Sequence, residues 1–189
     1  MRVLNCSVFA VLALGAVVAG CSSGGGTEPL AGPATLLVED FNQEGGGSYQ
    51  LNYTGFARWN VTGGSVDLVG TPPFDDFLST AQGMYVDLDG TTRAAGTLES
   101  KETFALPRGT YQLQFKLAGT PRPSQPDNTV TVSLGNVYQE TFTLPSYAPL
   151  QTFTRSIPVL RDTSARLRFQ HEGGDDYGIF VDDIQLSRR

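Results

Sequence analysis

Cysteine is almost missing from this chain of 189 residues: Cys6 and Cys21 are the only two, and none follows position 21. The remainder therefore offers no internal disulfide, no cysteine-based zinc site and no thiol nucleophile, and its stability must rest on packing. Histidine occurs once, at His171, which rules out a multi-histidine zinc centre. A serine triad would need a nucleophile on a strand–turn–helix elbow, and no such context accompanies His171, so it reads as a surface or strand-end residue. Basic residues are also scarce, 13 Lys and Arg against 19 Asp and Glu for a net charge of −6. Nucleic acid calls for the opposite, a basic stripe that displaces counterions. Helical period is lacking as well, and the one long apolar run, at 8–18, falls short of the roughly 20 residues that span a bilayer.

That run has its own meaning. Met1-Arg2 supplies a positive start, the run has the length of a signal-peptide core, and it ends in Val18-Ala19-Gly20-Cys21. This box resembles the lipobox of bacterial lipoproteins. The resemblance implies cleavage before Cys21, lipidation of that cysteine and a membrane partner reached through the lipid alone. Several acyl chains, each worth about 0.8 kcal/mol per buried methylene, hold a protein stably. Ser22, in place of aspartate, implies sorting to the outer membrane. Expected boundaries are a signal peptide at 1–20, the lipidated cysteine and a flexible Gly/Ser/Pro linker at 21–33, and one domain at 34–189.

Within that domain the pattern is period two. Tyr111, Leu113, Phe115 and Leu117 face one way, and Gln112, Gln114 and Lys116 the other. Val130, Val132 and Leu134 repeat the alternation, as do Leu167 and Phe169, and Met84, Val86 and Leu88 against Tyr85, Asp87 and Asp89. Further strands are expected near 35–41, 56–61, 65–69, 97–106, 138–144, 152–160 and 178–186, with a tight turn at Gly63-Gly64. About ten strands without helices mean an all-β fold, a β-sandwich of jelly-roll type. Two connections, 71–80 and 120–128, exceed what a hairpin needs, and loops on a rigid sandwich are where binding residues gather.

Several segments in order, Glu39-Asp40-Phe41, the Trp59 strand with Ser65-Val66-Asp67-Leu68, Tyr85 to Gly90, Gly109 to Phe115 and Gly178 to Ile184, resemble the galactose-binding-like jelly rolls of carbohydrate-binding modules. That resemblance implies one structural calcium ion tying the first strand to the last, through Glu39 or Asp40 and Asp182 or Asp183. Alternation points the same way: Asp182 shares a face with Phe180, Ile184 and Leu186, and a carboxylate there needs a partner. Calcium supplies one through oxygen ligands, while a salt bridge to an arginine or backbone hydrogen bonds at a strand end would also serve. Asp87-Leu88-Asp89-Gly90 lacks the later glutamate of a calcium loop and reads as solvated acids in a turn.

Sugar sites stack pyranose faces on aromatic rings and satisfy hydroxyls with polar side chains. The candidates are Phe74, Asp75, Asp76 and Phe77 in the first long loop, Asp127 and Asn128 in the second, and Tyr177 beside Asp175 and Asp176. Tyr147 also falls in a loop context, whereas Trp59 alternates with Val61 and reads as core. The expected function is a non-catalytic, lipid-anchored binding module for a polysaccharide, peptidoglycan or other envelope polymer. A structural lipoprotein that binds another envelope protein is the alternative, and a glycan hydrolase the least favoured, since acids are too common here to single out a catalytic pair.

Overall fold

The alternation from Tyr111 to Leu117 becomes the long strand β7 (Gly109–Ala118), with its odd-numbered side chains buried and Gln112, Gln114 and Lys116 half-exposed. The computed structural model describes residues 33–72, 78, 83–122, 127–175 and 177–189. Cys21, Phe74, Asp75, Asp76, Phe77 and Asp176 lie outside the described residues, as do the signal segment and all but the end of the expected linker.

Before β7 come β1 (Ala34–Glu39), β2 (Trp59–Thr62), β3 (Asp67–Val69), β4 (Tyr85–Asp87), β5 (Thr97–Ser100) and β6 (Phe104–Leu106). After it come β8 (Asn128–Leu134), β9 (Tyr138–Leu144), β10 (Gln151–Val159), β11 (Thr163–Ala165), β12 (Leu167–Glu172) and β13 (Phe180–Arg188). One sheet runs β10–β7–β13–β4–β3, with β1 also paired to β13, and the other runs β2–β5–β12–β8–β9. The expected all-β sandwich of jelly-roll type is the fold. The strand expected over 97–106 is two: β5 joins the second sheet, while β6 pairs with β11 in a small ribbon. The break is fastened locally, because Ser100 donates its hydroxyl to Glu102 O and accepts from Leu167 N.

Between the sheets lies an apolar core in which Phe41, Phe56, Trp59, Phe115 and Phe169 are fully buried. Each such side chain contributes roughly 1.5–3 kcal/mol by leaving water. Trp59 packs edge-on to Phe169 and donates its indole N–H to Glu39 Oε2 at 3.1 Å, so the expected core role of the lone tryptophan holds. At the edge formed by β9 and β10, Arg155 grips Glu140 with two hydrogen bonds of 2.6 Å and lies over Phe142 and Phe153.

A second, smaller apolar cluster sits on the outer face of the first sheet: Val69, Leu78, Tyr85, Ala118 and Phe180. Its existence corrects two expectations. Tyr85 and Asp87 are not on a solvated face; both are buried, Tyr85 edge-on against Phe180 at 5.4 Å. Nor does Asp182 share a face with Ile184 and Leu186. Strand β13 carries a bulge there, with the register shifting between Asp182 and Gln185 and Asp183 in the left-handed region at φ 48°. An extra residue reverses the alternation beyond it. Phe180 therefore packs outside, while Val181, Ile184 and Leu186 enter the main core.

Candidate functional site

Strands β3 and β4 pair so that Asp67 stands directly opposite Asp87. Like charges in that arrangement repel, yet both are buried, and Asp89, just past the end of β4, is only 1% exposed. Asp67 Oδ1 accepts from Asn52 N at 2.6 Å and Thr91 N at 3.4 Å, and Asp87 Oδ1 accepts from Asp89 N at 3.1 Å. Burial nonetheless raises both carboxyls above the usual carboxylate range. For Asp87 the rise is large: burial dominates, the charges of Asp67 and Asp89 add to it, and the Asp89 amide and the Arg122 guanidinium oppose it.

His171 closes this cluster from the other sheet. It continues the inward face of Leu167 and Phe169 on β12 and is 4% exposed, so it does lie at a strand end but not at the surface. Among the described residues neither ring nitrogen finds a hydrogen-bond partner, and burial pulls its pKa down to about 4 against a smaller upward pull from Asp175. The following segment must come close. A Cβ on Gly173 would collide with Asp89 Oδ2 and the His171 ring, and one on Gly178 with Asp87 Oδ1 and the Asp89 backbone. Glycine at these two positions is what lets the acids, the histidine and the 173–178 segment share one end of the sandwich.

On this end the Arg122 guanidinium lies over the Tyr177 ring, 5.1 Å from its centroid. Tyr177 is half-buried, and its amide donates to Asp175 Oδ1 at 2.9 Å. Of the ligand residues expected from sequence, Tyr177 thus joins a cation–aromatic pair beside buried acids. Asp127 is exposed, and Asn128 is buried as the first residue of β8, where it pairs with Leu144. Sequence reasoning missed Arg122, Asp67, Asp87, Asp89 and the buried position of His171. The available signal was the pair Val66-Asp67-Leu68 and Val86-Asp87-Leu88, acids flanked by apolar residues on two strands, with glycines at 173 and 178.

Of the four residues expected to hold calcium, Glu39 stands opposite Ile184 across the β1–β13 pair, next to the bulge that carries Asp182 and Asp183. Glu39 is engaged: Oε1 accepts from Phe41 N at 3.0 Å and Oε2 from Trp59, and its pKa is raised chiefly by burial. Asp183 pairs with Lys116 at 2.6 Å. Asp182 is 3% exposed and accepts from Asp183 N, and its pKa is pushed up to about 7 by burial first, then by the charge of Asp183, with Asp40 adding to it. Asp40 is exposed and accepts from Asn42 N. Asp40 and Asp182 are thus close enough for their charges to act on each other, and among the described residues no group of three or more His, Cys, Asp or Glu is placed to hold a metal.

This two-sheet arrangement defines a β-sandwich of jelly-roll type. The solved structures it is similar to include the module TmCBM61 in complex with β-1,4-galactotriose, at TM-score 0.51 and 18% identity over 80% of this chain and 95% of that one. Another is the K3 cleaved adhesin domain of Lys-gingipain from Porphyromonas gingivalis, at TM-score 0.54 and 17% identity over 82% of this chain and 99% of that one. At such identities the likeness is one of fold. No family model matches the chain, and no curated protein matches it.

Proposed function

We propose that this chain is a non-catalytic glycan-binding module, held at the outer membrane by a lipid on Cys21, that takes its ligand at the sandwich end carrying Tyr177 and Arg122. The observation behind this reading is the guanidinium lying over the Tyr177 ring beside a buried acidic cluster. A planar surface with a charge-bearing rim suits the apolar face of a pyranose and its equatorial hydroxyls. The co-crystallised galactotriose of TmCBM61 supports the same class of ligand. Binding without cleavage fits the enclosure of the carboxyls here, since a hydrolase needs two of them flanking the scissile bond. Calcium belongs to this reading as a structural ion, with Asp40 and Asp182 supplying two of its oxygen ligands.

The test is a pull-down of the purified protein with insoluble polysaccharides and peptidoglycan. Saturable retention that falls at least tenfold on Tyr177→Ala supports the reading, a tenfold loss being about 1.4 kcal/mol. Retention by none of the polymers overturns it and moves the weight to a protein partner in the envelope.

A further inference from the structure

At the end of the sandwich opposite Tyr177 the chain enters the domain. Ala34 opens β1 and pairs with Arg188 at the end of β13, and Arg188 pairs in turn with Tyr111 near the start of β7. A fourth strand arrives where Val159 of β10 pairs with Gly109. These pairings gather arginines. Arg188 is buried and donates to Arg108 O at 2.7 Å, Arg108 N donates to Asp162 Oδ1 at 2.7 Å, and Arg189 N donates to Thr110 O at 2.8 Å. Arg108, Arg161 and Arg189 are exposed, with Asp162 the acid among these contacts. Directly before Arg161 stands Leu160, 84% exposed, more than any other large apolar side chain described. It shares a hollow of about 290 Å³ with Val137, Pro158 and Arg161.

An exposed leucine among guanidinium groups suits lipid headgroups, since arginine grips phosphate through paired N–H donors and leucine enters the acyl boundary. Two observations select a bilayer. Residues 22–33 join Cys21 to this end, and a Gly/Ser/Pro-rich chain of twelve residues reaches on the order of 20 Å. So short a tether holds this end beside lipid at roughly millimolar effective concentration, where a weak patch suffices. The chain carries a net charge of −6, yet the exposed acids Asp127 and Glu172 stand at the opposite end. An anionic surface therefore attracts the arginine end and repels the other.

We propose that this end docks on an anionic phospholipid bilayer, with Leu160 inserted and Arg108, Arg161 and Arg189 on the phosphates, so that the Tyr177 end faces away from the membrane. The inference rests on the lipid anchor at Cys21 proposed above. Strand β7 runs from one end to the other, and its ten residues separate bilayer and ligand site by about 30 Å.

The experiment places the lipidated protein in vesicles of phosphatidylglycerol and phosphatidylcholine that carry a spin-labelled lipid. A fluorophore is attached at Asn136→Cys, beside Leu160, or at Thr143→Cys, toward the opposite end; both positions are exposed. The expected result is quenching at 136 and none at 143, with the difference lost at 1 M salt, where the Debye length is about 3 Å. Arg161→Ser should weaken the docked state about fivefold, the effect of one basic side chain near an anionic surface, and Leu160→Ser about tenfold. Equal quenching at the two positions, or none at either while the protein still floats with the vesicles, overturns docking and leaves the anchor intact. Undiminished quenching on phosphatidylcholine alone overturns the role of the arginines. Disulfide dimers through position 136 assign this end to a second copy of the chain and overturn the lipid partner. If wild type floats no better than Cys21→Ser, the anchor falls and docking with it.

Discussion

His171 offers a pH test of the sandwich end that needs no ligand. In the folded chain its ring is buried, without a hydrogen-bond partner among the described residues, and its pKa lies at about 4, against 6.5 for the free side chain. Between these values the unfolded chain takes up a proton that the folded chain refuses. The stability contribution is thus fully present above about pH 6.5 and is lost as pH falls toward 4. A shift of this size is worth about 3 kcal/mol at 1.36 kcal/mol per unit. The buried carboxyls act in the opposite sense. Asp67, Asp87 and Asp182 have raised folded pKa values, so they cost stability where ionised and return it as pH falls. Wild type alone would mix the two effects. The assay is therefore urea unfolding of wild type and of His171→Gln from pH 7.5 to pH 4, in which the carboxyls are common to both proteins and cancel in the difference. That difference should shrink by up to about 3 kcal/mol on acidification, in disfavour of wild type. A flat difference would show that His171 protonates as readily folded as unfolded, and that the end of the sandwich is open to water.

Other outcomes follow from single contacts. Glu39→Ala leaves the buried Trp59 N–H and the Phe41 amide without acceptors and should cost about 1–3 kcal/mol in urea unfolding. Gly178→Ala drives a methyl into Asp87 and Asp89 and should cost about 1–3 kcal/mol by the same measurement. Arg155→Met should cost less than about 1 kcal/mol despite its short bonds, because arginine and glutamate are each about a third exposed and water screens the pair. Excess calcium should raise the melting temperature of wild type and leave Asp182→Asn unchanged, with about 2.7 kcal/mol gained at a hundredfold excess over Kd. Equal melting temperatures of wild type in calcium and in chelator would remove the ion.

Strands β7, β8 and β12 were legible because one face of each meets the core and the other meets water, so polarity alternates with the pleat. Strands β4 and β13 were also legible as strands, but the burial of their second face was not, because the outer face of the first sheet is itself covered where Leu78 lies against Tyr85 and Phe180. No local pattern tells a strand what will cover its second face. The bulge at Asp182-Asp183 was hidden for a related reason: it puts an aspartate, not a glycine, at positive φ, which aspartate tolerates better than most residues. The candidate site was half legible. Tyr177 carried its own signal as an aromatic among acids, but its partner Arg122 comes from another loop through the closeness of the β7 end to the β13 start. The buried acids were read as solvated because apolar neighbours on a strand look the same whichever face is covered.

The central claim is that glycan binds at the end built from Arg122, Tyr177 and the acidic cluster. The most direct measurement is a backbone amide NMR titration of the purified protein with a bound trisaccharide. The expected result is saturable shift changes concentrated at 119–122 and 172–178. Changes confined to the groove along β1 and β13, or to the outer face of β5, β12 and β8, would contradict it.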